Sequence, residues 1–66
     1  MKTYTETVGI LANRAFHRYM AGGETDILKD TSLVAQIYDR AQSEVEVAVF
    51  HTYETIKAAY YERVTS

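Results

Sequence analysis

The chain has 66 residues, with seven Lys and Arg against nine Asp and Glu and a formal charge of −2. This balance indicates neither a general polyanion binder nor a strongly acidic mimic of DNA. A chain of this length forms one small domain, residues 1–66, near the lower size limit for a stable core. Because the sequence contains no Cys, disulfides and thiolate metal sites are excluded. Oligomerisation or unusually good helix packing must then supply further stability, and oligomerisation is favoured.

Membrane and secretory signals are not predicted. No apolar run follows Met1 and Lys2, and no stretch approaches the ~20 apolar residues that a membrane-spanning helix needs. The lack of Cys also fits a reducing compartment. We therefore expect a soluble cytoplasmic protein with no membrane partner.

A first helix is predicted from about Tyr4 to Met20. Thr3 followed by Glu6 is a capping-box pattern, and the Gly22-Gly23 pair ends the helix. Gly9 lies in its interior, where it costs up to ~1 kcal/mol relative to Ala, and close packing against another helix is the predicted reason. The apolar residues of this segment share one helical face: Tyr4, Val8, Leu11, Ala12, Ala15, Phe16 and Tyr19.

The next segment, residues 24–30, is mostly polar and is predicted to be a connection. Its apolar pair, Ile27 and Leu28, could close one end of the core. The side chains of Asp30, Thr31 and Ser32 can accept hydrogen bonds from the first turn of a helix. A second helix is therefore expected to begin near residue 32.

This second helix is predicted to run from about residue 32 to residue 64, because residues 31–64 contain neither Gly nor Pro. The main apolar stripe has helical spacing and comprises Val34, Tyr38, Ala41, Val45, Ala48, Val49, Thr52, Ile56, Ala59 and Tyr60. A second apolar set lies on roughly the opposite face and comprises Val47, Phe50, Ala58 and Tyr61. The predicted fold is all-α, a helical hairpin with one short and one long helix.

Two alternatives concern the middle of the long segment. Ser43 followed by Glu46 is a second capping-box pattern, which indicates a kink near residues 42–43 or two helices of about 32–41 and 44–64. Residues 44–51 also alternate in a manner compatible with a strand, since Val45, Val47 and Val49 are β-branched. The continuous helical stripe and the absence of a hairpin turn favour a helix.

Apolarity on two sides of the long helix predicts a homodimer. At 1.5 Å per residue the long helix extends to roughly 50 Å and the first helix to only about 25 Å, which leaves half of the long helix uncovered. Two copies paired through their long helices would form a dimeric helical bundle. The predicted dimer interface comprises Val45, Val47, Val49, Phe50, Tyr53, Ile56 and Tyr61.

No residues are predicted to carry catalysis. The sequence has no phosphate-binding or dinucleotide-binding glycine motif and no base adjacent to a Ser. The two histidines, His17 and His51, lack a metal-ligand spacing. We therefore expect neither an enzyme, nor a metal site, nor a cofactor.

The first helix carries the predicted partner-binding residues, which are Ile10, Asn13, Arg14, His17 and Arg18. This face mixes an apolar residue with Arg, as interface anchors do. The same cations could instead contact phosphates, so a small nucleic-acid-binding or nucleoid-associated regulator is the alternative. A solvated helix face with cations near the helix C-terminus is the simplest reading of these residues.

Residues 43–50, Ser-Glu-Val-Glu-Val-Ala-Val-Phe, resemble a segment of the small enterobacterial Hha-type modulators, which bind the nucleoid protein H-NS. The resemblance covers eight residues. The chain lacks the Ala-Asp-His-Arg stretch and the C-terminal Trp of that family, so the resemblance implies no functional residue. Size and composition are also similar to those of small phage or prophage proteins. The predicted function is a non-catalytic protein-protein interaction module, a small regulator or inhibitor that binds an unidentified protein partner.

Overall fold

The computed structural model describes residues 2–23 and 28–65, with side chains from residue 30 onward in the second range. These residues form three helices, α1 (Tyr4–Met20), α2 (Leu28–Ile37) and α3 (Gln42–Thr65), and include no strand. The all-α prediction is confirmed, and the strand alternative for residues 44–51 is wrong. The predicted end-of-core pair lies outside the described parts, since Ile27 and the side chain of Leu28 are not described.

Helix α1 begins and ends where its sequence signals predict. The Thr3 hydroxyl accepts the backbone N–H of Glu6 at 3.2 Å, and the Glu6 carboxylate accepts the N–H of Thr3 at 3.4 Å. At the other end Gly22 has φ +86°, a value that Gly adopts without a steric penalty. The N–H of Gly23 then reaches the carbonyl oxygen of Arg18 at 3.0 Å, which closes the helix with a Schellman motif.

The predicted long helix is interrupted, and the interruption needs no Gly. Asp39 adopts φ +53°, a left-handed conformation that Asp tolerates better than most residues. The N–H of Arg40 bonds to the Ala35 carbonyl at 2.8 Å, and the N–H of Asp39 bonds to the Gln36 carbonyl at 3.4 Å. This is the same Schellman geometry that ends α1. A continuous helix from 32 to 64 is therefore wrong, and the two-helix alternative is closer to the structure.

The cap positions predicted for the start of the second helix and for the break are also wrong. Asp30, Thr31 and Ser32 lie inside α2, because that helix begins at Leu28. Ser43 lies inside α3, since the Ala41 carbonyl already accepts the N–H groups of residues 44 and 45.

Helices α1 and α3 run parallel, and α2 connects them by carrying the chain back toward the level at which α1 begins. The Arg40 guanidinium lies 4.3 Å from the Tyr4 ring centroid at one end of the molecule. At the other end the rings of Phe16 and Tyr60 are 5.5 Å apart. A two-helix hairpin would have made the first helix antiparallel to its partner, so the hairpin is replaced by a three-helix arrangement.

Both α1 and α2 pack on α3, and the core lies between them. Its buried apolar residues are Val8, Leu11, Ala12, Ala15, Val34, Ala35, Val45, Val49 and Tyr53. The alanines permit close approach of the helices, and the predicted core faces of α1 and of the main stripe supply nearly all of this set. Gly9 plays no such part, because a Cβ added there would meet no atom within 4 Å, so the close-packing reason predicted for it is wrong.

Candidate protein-interaction surface

The outward side of α3 carries a row of residues that the core does not use. Because the core takes Val45, Val49 and Tyr53, the opposite face of the helix is directed away from α1 and α2, although the hydroxyl of Tyr61 at its edge reaches Tyr19 of α1. We call this row the outer stripe, and it comprises Val47, Phe50, Glu54, Ala58 and Tyr61. The exposed fractions are 69% for Val47, 56% for Phe50 and 43% for Tyr61. Large apolar side chains in this much contact with water, aligned on one helix, make this row a candidate binding surface.

The predicted dimer-interface residues therefore separate into two groups. Val45, Val49 and Tyr53 are covered by the chain's own helices, and Ile56 packs partly against the same core. Val47, Phe50 and Tyr61 remain exposed. Sequence periodicity placed the two groups on different sides of the helix, but it could not show which side the other helices cover. The dimer itself stays a prediction.

An aromatic cluster borders the outer stripe where α1 meets α3. The hydroxyls of Tyr19 and Tyr61 are 2.7 Å apart, and the rings of Tyr19 and Tyr53 meet edge to face with centroids 6.2 Å apart. The Lys57 ammonium lies 4.9 Å from the Tyr19 centroid and 5.3 Å from the Tyr53 centroid. It also lies 3.6 Å from the Glu54 carboxylate. One cation is thus held by two rings and one carboxylate.

These contacts shift two pKa values at the surface. Partial desolvation acts to lower the pKa of Lys57, but the attraction of Glu54, Tyr53 and Tyr19 and the hydrogen bond to Glu54 outweigh it. The Lys57 pKa is therefore raised from its ordinary value. The hydrogen bond between Tyr61 and Tyr19, followed by desolvation, raises the pKa of Tyr61. Lys57 consequently stays charged and Tyr61 stays neutral across the physiological range.

We call the five predicted partner-binding residues the α1 outer face: Ile10, Asn13, Arg14, His17 and Arg18. The first four lie on the side of the helix opposite Val8, Leu11 and Ala15. Arg18 flanks them, because it lies two turns after Leu11 and so nearer the core-facing side. Ile10 is half-buried, whereas the other four are exposed. The Asn13 amide donates to the Gly9 carbonyl at 2.9 Å, so this side chain is committed to its own helix.

A third exposed apolar site lies on α2 and was not predicted. Leu33 and Ile37 are one turn apart, and Ile37 is 53% exposed, nearly the same fraction as Phe50. This pair was missed when residues 32–64 were predicted as one long helix, because neither residue belongs to its main apolar stripe or to the second apolar set on the opposite face. A shorter helix that starts at Leu28 places them on the side away from Thr31, Val34 and Ala35.

Neither a metal site nor a membrane-spanning helix is found among the described residues. In ranges 2–23 and 28–65, no group of three or more His, Asp or Glu side chains is placed to hold a metal ion. Over the same residues, no helix combines the length and the apolar character that crossing a bilayer requires. Comparison with family models, with curated proteins and with solved structures gives no match.

Proposed function

We propose that this chain is a non-catalytic protein-protein interaction module, a small regulator or inhibitor that acts by binding a protein partner. One observation carries the proposal: α3 exposes Val47, Phe50 and Tyr61 in a row, although the opposite face of the same helix fills the core. A three-helix chain that needed only to fold would gain from polar residues in this row. Exposed rows of this kind are typical of surfaces that another protein covers.

The α1 outer face is the second part of the proposed surface. Arg14 and His17 are exposed there beside the half-buried Ile10. Arg beside an apolar side chain is a common composition for interface anchors. We propose that this face contacts an acidic or mixed surface of the partner.

Binding of nucleic acid is the competing function, and the charges argue against it. The formal net charge is −2. Two described cations away from the α1 outer face are already engaged, since Arg40 pairs with Glu44 and Lys57 pairs with Glu54. Affinity for a polyanion rests mainly on cations that neutralise phosphates, and this chain directs few of them toward one surface.

An affinity capture from lysate of the source organism tests the proposal. The tagged chain is compared with Arg14→Glu/Arg18→Glu, and every capture is done with and without nuclease. The matched control is Lys2→Glu/Arg63→Glu, which changes the net charge equally at other exposed positions. A protein partner that resists nuclease and is lost only with the first double variant supports the proposal.

Two results would contradict it. Retention that nuclease abolishes, together with nucleic-acid affinity that falls steeply with salt, would favour the nucleic-acid alternative. Turnover of a small molecule by the purified chain, abolished by replacing His17 or His51, would show that the protein is an enzyme.

A further inference from the structure

The outer stripe has a symmetric spacing along α3. Taking Glu54 as its centre, Phe50 and Ala58 lie four residues to either side, and Val47 and Tyr61 lie seven residues to either side. A surface of this spacing can face a copy of itself that runs in the opposite direction. We propose that two copies of this chain pair through their outer stripes, with the α3 helices antiparallel and the two-fold axis at Glu54. This inference rests on the proposed function, and it names a second copy as the partner for the stripe.

Side-chain size supports the antiparallel direction. In that arrangement Phe50 faces the partner's Ala58, and Val47 faces the partner's Tyr61. A large side chain then meets a small one on both sides of the axis, which allows an even helix separation. A parallel pair would instead set Phe50 against the partner's Phe50 and leave a gap between the two alanines.

Charge permits this pairing. The two Glu54 carboxylates face each other at the axis, and each is already paired with Lys57 of its own chain at 3.6 Å. The cluster at the axis therefore has zero net charge, so the contact brings in no unpaired charge.

The length of α3 allows an extended contact. With 24 residues it is the longest helix described, about 36 Å long at 1.5 Å per residue. Pairing along it would cover Val47, Phe50 and Tyr61, whereas Val64, which is 61% exposed, lies off the outer stripe.

Oligomeric state is the first test. Sedimentation equilibrium at micromolar concentration should give twice the chain mass for the wild type. Phe50→Asp should weaken the dimer at least ~30-fold, with helical circular dichroism retained. Ile37→Asp is the matched control, because Ile37 has nearly the same exposed fraction but lies outside the stripe, and this variant should remain dimeric.

Cysteine cross-linking tests the direction, since the chain has no Cys of its own. Glu54→Cys should form a disulfide-linked dimer, because the two copies of this position meet at the axis. Val47→Cys alone and Tyr61→Cys alone should not, since identical positions seven residues from the axis are ~20 Å apart. An equal mixture of these two variants should give the mixed dimer.

A size swap gives an independent check of the packing. Ala58→Phe should weaken the dimer, because it sets one ring against another, and Phe50→Ala added to the same chain should restore it. A wild-type monomer, cross-links of Val47→Cys with itself, or failure of the swap to restore pairing would each overturn the inference. A monomer that still captures a nuclease-resistant protein partner would leave the proposed function standing, so the two failures are distinguishable.

Discussion

The three valines at the start of α3 provide a sharp test of the fold. Val45, Val47 and Val49 alternate in sequence, so a strand would place all three on one face. The helix instead buries Val45 and Val49 completely, with 0% exposed, and leaves Val47 on the outer stripe. Replacing each valine by Ala in turn therefore measures which periodicity the folded chain has.

The expected magnitudes follow from burial. Val→Ala removes two carbons, each contributing ~0.8 kcal/mol when fully buried, and the cavity left behind adds to this loss. The better helix propensity of Ala returns ~0.5 kcal/mol. We expect Val45→Ala and Val49→Ala each to lower the free energy of unfolding by about 2 kcal/mol. Val47→Ala should change it by less than about 0.5 kcal/mol.

Such a loss is large for this chain. Proteins are stabilised by roughly 0.05–0.15 kcal/mol per residue, and the chain has only 66 residues. A loss of about 2 kcal/mol should lower the melting temperature by roughly 8–16 °C. Urea and thermal unfolding followed by circular dichroism at 222 nm measure both quantities, at concentrations where sedimentation shows a single oligomeric state.

An equal loss in the free energy of unfolding for all three variants would refute the reasoning. If Val47→Ala costs as much as the other two, the three side chains share one environment, and the helical placement of the outer stripe is wrong. If none of the three matters, the core between α1, α2 and α3 is not the one described. A cost at Val47 that appears only where the chain is dimeric would instead agree with pairing through the stripe.

Four further predictions concern α1, the residues that end it, and the alkaline limit of stability. Thr3→Ala should lower the free energy of unfolding by about 1 kcal/mol, because it removes the cap of α1, and Thr5→Ala is the control at an exposed helical position in urea titrations. Gly9→Ala should raise stability by up to ~1 kcal/mol, because a Cβ there meets no neighbour. Gly22→Ala should lower stability by at least ~1 kcal/mol, because φ is +86° at that position, and equal effects of the two substitutions would contradict the assigned conformations. The raised pKa values of Lys57 and Tyr61 mean that the folded chain holds these protons more tightly than the unfolded chain. The stability that they contribute is therefore present at neutral pH and is lost as pH rises above about 10. Tyr61→Phe should make this loss smaller in a series of thermal melts between pH 8 and 11.

Local signals in the sequence determined α1 and the apolar pattern of α3. The bounds Tyr4 and Met20 follow from a capping box at one end and a glycine pair at the other, and both act through backbone groups within a few residues. The two apolar faces of α3 follow from the helical period alone, which is why Val47, Phe50 and Tyr61 could be recognised as a separate set. These features depend on the neighbours of a residue along the chain.

Local sequence signals of this kind did not predict the turn after α2. Asp39 takes the left-handed conformation that Gly22 takes after the end of α1, and no residue type near Asp39 requires a turn. The periodicity of the apolar stripe did not indicate the turn either, because Val34 and Val45 face the same core from two different helices. A pattern that continues along one helix and a pattern that is shared by two packed helices look alike in sequence.

Only the tertiary structure decided which apolar side of α3 became core and which became surface. Val45 and Val47 are equally apolar, and the sequence alone does not distinguish a covered face from an exposed one. The turn at Asp39 sends α3 back along α2, and α1 lies parallel to α3, so both helices cover the Val45 side. The Val47 side is exposed because the chain, once reversed in this way, has no further described helix to place over it.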